Sequence, residues 1–433
     1  MSKTWTFFVS TVLAVSASGV CSSASAQQIE NTGVGNFDRT RSTGVLERPR
    51  PDYEALGVHA GGFLVYPRLT VDAVYDDNIF SSRLAAVGDT IFRIGPELAI
   101  KSNWSRHEVD LIAHAKINQY LDHSRENTTD YGVGGLGRLD VVRGTNLTGG
   151  VSYDRNTEPR TDPTAPTAAL QPVRYDLSQF NIGGSREINR LRLQAGVNFA
   201  DYNYDNVAST AGTIINQKFR DRAMWTENAR ADYAVSPDTA LYVTGGVNQR
   251  DYRFTTLPAA PNNRSSTGYE VDVGANFDLT NLLRGEVQVG YLQQSYKGPA
   301  APNISGIAFK AGVSWFPTPL TTVRLSGSRT VEEATVLGAS GFIASRVNLR
   351  VDHELLRNVI LNANVGYEND GYHGVTRTDN LVTGGVAGTY LLNRNIGLRL
   401  AYDHLSLDSS GTIAARVPSY QDNKVTGSLT LQF

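Results

Sequence analysis

The sequence predicts an all-β protein, a transmembrane antiparallel up-and-down β-barrel of about 18 strands with a short disordered periplasmic N-terminal tail. Three observations predict it. From Leu64 to the C-terminus, runs of roughly 10–16 residues alternate apolar and polar side chains. The links between these runs alternate between short and long. Within each run the ionisable residues fall overwhelmingly on one parity.

The N-terminal region comes first. Lys3 precedes an apolar stretch from Trp5 to Val20, and Ala24-Ser25-Ala26 supplies an A-x-A site. Residues 1–26 therefore read as a secretory signal peptide cleaved after Ala26. The one cysteine, Cys21, would leave with it, so the mature chain would carry no disulfide and no cysteine-based metal site. Residues 27–60 are polar, arginine- and proline-containing and without sustained periodicity. Such a segment cannot bury enough apolar surface to fold alone, and it reads as a flexible periplasmic tail, too short for a folded plug. Residues 61–433 are expected to form the barrel.

The strand assignment rests on period two. Leu191, Leu193, Ala195, Val197 and Phe199 lie on one face, with Arg192, Gln194, Gly196 and Asn198 on the other. Tyr269 to Leu279 and Ile396 to Asp403 alternate in the same way. The last run places Val425, Gly427, Leu429, Leu431 and Phe433 on one face. Short links are expected at 102–106, 143–144, 187–190, 236–238, 280–283, 317–319, 356–358 and 393–395. Longer ones are expected at 76–88, 122–127, 158–173, 205–215, 255–265, 298–303, 332–340, 371–375 and 409–418. Tight periplasmic turns and longer extracellular loops produce this alternation, and both chain ends then fall on the periplasmic side.

Composition excludes other classes. No run of about 20 apolar residues is available for membrane helices. A net charge of −2 gives no bias toward nucleic acid. A soluble sheet also alternates. The strict sorting of charges favours lipid contact, because an Arg or Lys at the midplane of the lipid face costs about 2–4 kcal/mol. Tyr outnumbers Phe, 20 to 15, as aromatic girdles at the two interfaces require.

Local motifs supply little chemistry. Gly132-x-Gly134-x-x-Gly137 matches a dinucleotide fingerprint by letters, but it lies within a strand run with no helix after it. The seven histidines form no metal spacing, and neither a GxSxG elbow nor a P-loop is present. No catalytic residue, cofactor site or metal site is expected, and the chain does not read as an enzyme. Tyr75-Asp76-Asp77-Asn78-Ile79-Phe80 reads as a girdle residue followed by Asx-type turn residues, with an oxygen-ligand calcium site as the sharper alternative. By parity, Arg192, Arg230, Asp232, Arg250, Glu270, Asp272, Arg324, Arg350, Asp352, Arg399 and Asp403 line the lumen. Arg93, Glu97, Lys116, Arg284, Glu286, Arg346 and Glu368 share that side. Both signs occur in similar number. The set fits a wall of paired charges or a path for a polar solute.

The segments Arg48-Pro49-Arg50-Pro51-Asp52-Tyr53, Gly61-Gly62-Phe63-Leu64-Val65-Tyr66-Pro67 and Tyr75 to Phe80 resemble one family. So do Ser152-Tyr153-Asp154-Arg155 and the strand-end pair Asp201-Tyr202. The chain resembles the EpsL-like outer-membrane β-barrel porins encoded in exopolysaccharide operons. The resemblance implies a cell outer-membrane location and a channel that exports or accommodates an exopolysaccharide, or passes another polar solute. It implies no catalytic motif. The expected partners are outer-membrane lipids, the barrel-assembly machinery acting on the C-terminal Phe433, and a polysaccharide with periplasmic export proteins. The alternatives are a structural or adhesive barrel with a blocked lumen, a general diffusion porin, or a barrel-embedded lipid enzyme.

Overall fold

The computed structural model describes residues 43–254, 263–280, 282–299, 301–336, 338–412 and 417–433. The expected signal peptide lies outside these residues. Eighteen strands form one closed antiparallel barrel. They are β1 Phe63–Asp76, β2 Asp89–Ser102, β3 Glu108–Tyr120, β4 Thr128–Val142, β5 Thr145–Thr157 and β6 Arg174–Ile188. Then come β7 Leu191–Tyr204, β8 Arg222–Ser236, β9 Thr239–Tyr252, β10 Ser266–Leu279, β11 Leu283–Tyr296 and β12 Ile304–Thr318. The last six are β13 Thr321–Glu332, β14 Gly341–Leu356, β15 Val359–His373, β16 Arg377–Leu391, β17 Ile396–Gly411 and β18 Tyr420–Gln432. Each strand pairs with its chain neighbour. β1 closes on β18 in register from Arg68↔Gln432 to Asp76↔Lys424.

Why these residues form these strands is visible at the links. Among the two-residue links is Arg143-Gly144, where Gly144 takes a positive φ of 74° that a side chain would strain. Eight short links gather at the end where Phe63 begins β1 and Gln432 ends β18, and nine mostly longer ones at the other, of which the link from β15 to β16 has only three residues. The boundaries differ by a few residues. Ile188 and Thr318 stay in strands, because pairing extends to the turn itself.

Side chains segregate by parity. Outward positions are apolar and exposed, among them Val133, Val243, Val271, Val289, Val365 and Leu400. A ring of tyrosines caps this band on the loop side. Tyr153 donates its hydroxyl to Asp176 at 2.9 Å, Tyr269 to Gln293 at 2.9 Å, Tyr367 to Asn380 at 2.8 Å and Tyr402 to Asn423 at 2.8 Å. Each ring stays against lipid; the tips of Tyr153, Tyr367 and Tyr402 reach one rung nearer water, and that of Tyr269 reaches its direct cross-strand partner. Tyr233, Trp315 and Tyr390 stand exposed on the turn side. Glu227 breaks the sorting. It faces outward between Val197 and Val247, one step inside Trp225, where the apolar band meets the girdle.

The glycine motif has a packing explanation. A side chain at Gly132 would meet Asp154 Oδ1 at 2.1 Å and the His114 ring at 2.6 Å. Gly132 thus lets His114 and Asp154 approach each other across β4 on the lumen side, to 3.6 Å.

The lipid face yields a first prediction. Val243→Arg puts a guanidinium in mid-band on β9, and the folded state should lose about 2–4 kcal/mol. Denaturant titration in lipid vesicles measures this. The same change at Thr244, on the lumen face, should cost far less.

Candidate functional site

The eleven residues that parity assigned to the lumen alternate with the exposed apolar positions of their strands. Arg230 is the best-held. Its guanidinium grips Asp232 (Nη2–Oδ1 2.7 Å) and Glu286 on β11 (Nη1–Oε1 2.9 Å). It also stacks 3.5 Å from the centre of the Tyr242 ring. Tyr242 donates to Glu286 at 3.0 Å, and Gly274 beside it leaves the ring its room. Arg350 holds Asp352 at 2.9 Å, and Asn362 donates to the same carboxylate at 2.5 Å. Arg399 bonds Asn362 and Thr389, each at 3.3 Å. Glu270 and Asp272 sit side by side on β10, with Gln288 donating to Asp272 at 3.2 Å. Arg192 lies 3.5 Å from Glu187. Arg250 reaches across to Glu333 in the loop after β13. Asp403 lines β17 beside Gly385, whose absent side chain leaves it space. The wall is a mosaic of paired charges, so no single sign dominates the field along it.

Two segments modify the mouths of this lumen. On the loop side, residues 158–173 leave β5 and cross the opening. Tyr420 of β18 donates to Thr161 O at 2.7 Å, Arg377 of β16 to Pro163 O at 3.2 Å, and Thr335 to Thr164 O at 3.1 Å. At the base, Arg220 holds Glu158 through two bonds, and Arg160 holds Glu126 at 2.7 Å. Asp162 is buried at the crossing. Burial, and then the charge of Glu158, push its carboxyl up to about 6.

On the turn side, residues 43–57 run along the inside of the rim. Glu47 bonds Arg284 at 2.7 Å and Arg324 at 3.4 Å. Val45, fully buried, donates its amide to Thr322 at 2.9 Å. Arg48 and Arg50 converge on Glu354 of β14 at 3.1 and 2.8 Å. Arg357 and Arg394, both in turns, donate to Pro49 O and Pro51 O. This corrects the flexible tail expected over residues 27–60, of which 27–42 lie outside the described residues. A segment poor in apolar groups cannot fold alone, but its charges find partners on a wall already carrying the opposite signs. It follows the wall from β1 past β18 and β14 to β11.

The Tyr75–Phe80 cluster takes its turn reading. Asp76, Asp77 and Asp422 approach within reach of one ion. Lys424 already stands among them, 2.9 Å from Asp76 and 3.0 Å from Asp422. Asn78 spends its side chain on Ser82 and Gln421 backbone groups, and Asp77 accepts from Asn423 at 2.8 and 2.7 Å. The lysine ammonium supplies the positive charge a calcium ion would bring, and the cluster pins the first loop to β18.

Sequence reasoning missed Thr322, Glu354, Arg220, Glu158 and Glu333. Thr322 and Glu354 share the parity of the lumen set but gain their role only from the strap. The others lie in or beside loops, where no period marks a face.

The chain belongs to the family described as Putative beta-barrel porin 2. The match spans residues 50–433. It is thus an outer-membrane β-barrel porin, and its family and fold are those of a channel rather than an enzyme. Comparison with curated proteins finds no match. Among solved structures, OpdK of Pseudomonas aeruginosa with vanillate is 14% identical at a TM-score of 0.43, covering 85% of this chain and 99% of that one. OpdL of the same organism is 13% identical at 0.44, covering 86% and 100%. A mutant of the ferric enterobactin receptor PfeA, also from Pseudomonas aeruginosa, is 8% identical at 0.46, covering 85% and 80%.

Two predictions follow from the mouths. Glu354→Gln leaves Arg48 and Arg50 without their shared carboxylate. Amide exchange at Val45 should then speed up by about tenfold or more, an opening cost lowered by at least ~1.4 kcal/mol. Exchange within β14 itself should not change. At the other mouth, the packed loop holds the Asp162 proton up to about pH 6, whereas an opened loop releases it near the ordinary value of 3.8. The packed state therefore binds more protons in that window. It is most stable below it, loses stability as pH rises through it, and levels off above. Opening of residues 158–173, read by amide exchange, should be rarer at about pH 4 than at about pH 7. Asp162→Asn should remove the difference and hold the loop closed at both.

Proposed function

We propose that this porin exports or accommodates an exopolysaccharide, or passes another polar solute, across the outer membrane. The observation that carries the reading is the chemistry of the lumen wall. Amides, hydroxyls and both signs of charge line it together: Asn362 beside Arg399 and Asp352, Gln288 beside Asp272, Tyr242 beside Glu286. Such a surface offers donors and acceptors at short intervals and can replace the water bonds of a hydroxyl-rich chain as it moves. A strongly one-signed wall would instead trap or repel a charged solute. The resemblance to exopolysaccharide-operon porins supports the same direction. In this reading no covalent step occurs, and lipid, the assembly machinery at Phe433 and periplasmic export proteins are the surroundings the barrel works in.

A second reading has its own support. Residues 158–173 span one mouth, and many wall charges are mutually paired, which suits a structural barrel with a blocked lumen. Planar-bilayer recording separates the two. Passage requires discrete conductance steps that fall when a neutral or acidic oligosaccharide is added on the loop side, and that grow when residues 161–168 are replaced by a short Gly-Ser link. Absence of conductance in both the full chain and the loop-shortened variant would sink it.

A further inference from the structure

At the loop-side mouth, between Thr164, Arg264 and the loop after β13, a cavity of about 30 Å³ remains. On a scale where a water needs about 10–15 Å³, it holds roughly two oxygen atoms. Three arginines line it, Arg220, Arg222 and Arg264, with Glu332 and Glu333. The carboxylates are already engaged. Glu332 bonds Arg346 at 3.1 Å, and Glu333 takes both Arg250 and the Tyr252 hydroxyl. Arg220 is likewise engaged with Glu158.

Arg222 and Arg264 differ. Both are at least nine-tenths buried, and among the described residues neither has a carboxylate at ion-pair distance. Arg222 donates from Nη1 to Arg220 O at 3.1 Å, and its buried Nε has no partner. Arg264 donates to two carbonyls, Ala334 O and Phe219 O. Residues 255–262, the stretch leading to Arg264, contain neither Asp nor Glu. The planes of both guanidiniums lie against rings, Arg222 4.1 Å from Tyr202 and Arg264 4.6 Å from Tyr252. Stacking covers the faces and leaves the N–H edges for an in-plane acceptor. The nearest carboxylate, Glu333, spends its oxygens on Arg250 and Tyr252, so a small planar anion in the cavity would give Arg222 and Arg264 the direct in-plane acceptors they lack.

We propose that this cavity binds the carboxylate of an acidic sugar unit at the entrance to the lumen. The two carboxylate oxygens lie in the cavity, accept from Arg222, and are held from the other side by Arg264. The remainder of the sugar lies outside it. The identity of the carrier rests on the polysaccharide reading above; the oxyanion site itself does not.

Calorimetric titration of the detergent-solubilised full chain tests it, with D-galacturonate as probe and D-galactose as the neutral control. Galacturonate should bind, galactose should bind at least about tenfold more weakly, and Arg222→Gln or Arg264→Gln should each lower galacturonate affinity about tenfold or more. Arg264 lies outside the strand ladder, so Arg264→Gln retains the barrel, and heat-modifiable gel migration verifies folding. Equal affinity for the two sugars, no binding of galacturonate, or undiminished affinity in the folded Arg264→Gln protein would each overturn the proposal. Conductance is read separately: a conducting barrel that ignores galacturonate rejects this site alone, and a silent barrel that binds it supports the site and rejects passage.

Discussion

In hydrocarbon, an unpaired backbone N–H or C=O costs several kcal/mol, and a sheet with free edges carries a full row of them. The ladder between β1 and β18 removes the last such rows. Everything else depends on this closure. It holds alternate side chains toward lipid and toward the lumen, and places the start of β1 and the end of β18 at the same rim. Closure also explains the cluster around Lys424. That residue bridges Asp76 and Asp422 across the seam itself, where the last strand must find the first.

The lumen inherits its character from the same constraint. Charges excluded from the lipid face accumulate inside, and a crowded low-dielectric interior makes them pair. Arg230 with Asp232 and Glu286, Arg350 with Asp352, and Arg250 with Glu333 are the outcome. Paired walls are sticky to other charged segments. The strap at residues 43–57 exploits this on one side. The crossing loop does so on the other, through carbonyls offered to Arg377 and Tyr420. Arg222 and Arg264 stand apart, because rings and carbonyls make their direct contacts while the neighbouring Glu332 and Glu333 bond Arg346 and Arg250.

Much of the fold was legible from the sequence. The alternation at Leu191–Phe199 or Val425–Phe433 is a local property, since a strand in a two-sided environment must repeat every second residue. The links are equally local. The lumen set was read from parity alone, because alternate residues of a strand must face opposite sides. The strap was misread because composition reports whether a segment folds by itself. Glu47 has to meet Arg284 and Arg324 from distant strands before it is held.

By itself, then, the chain's order of residues determined strand number, handed each ionisable residue to lipid or lumen, and set the sense of the barrel, because those depend on neighbours within a few positions. The tertiary structure alone decided which charges meet, where the mouths narrow, and which guanidiniums among the described residues form no direct ion pair. These depend on residues such as Thr161 and Tyr420, or Arg50 and Glu354, that only closure and the inward fold of loops bring within bonding distance.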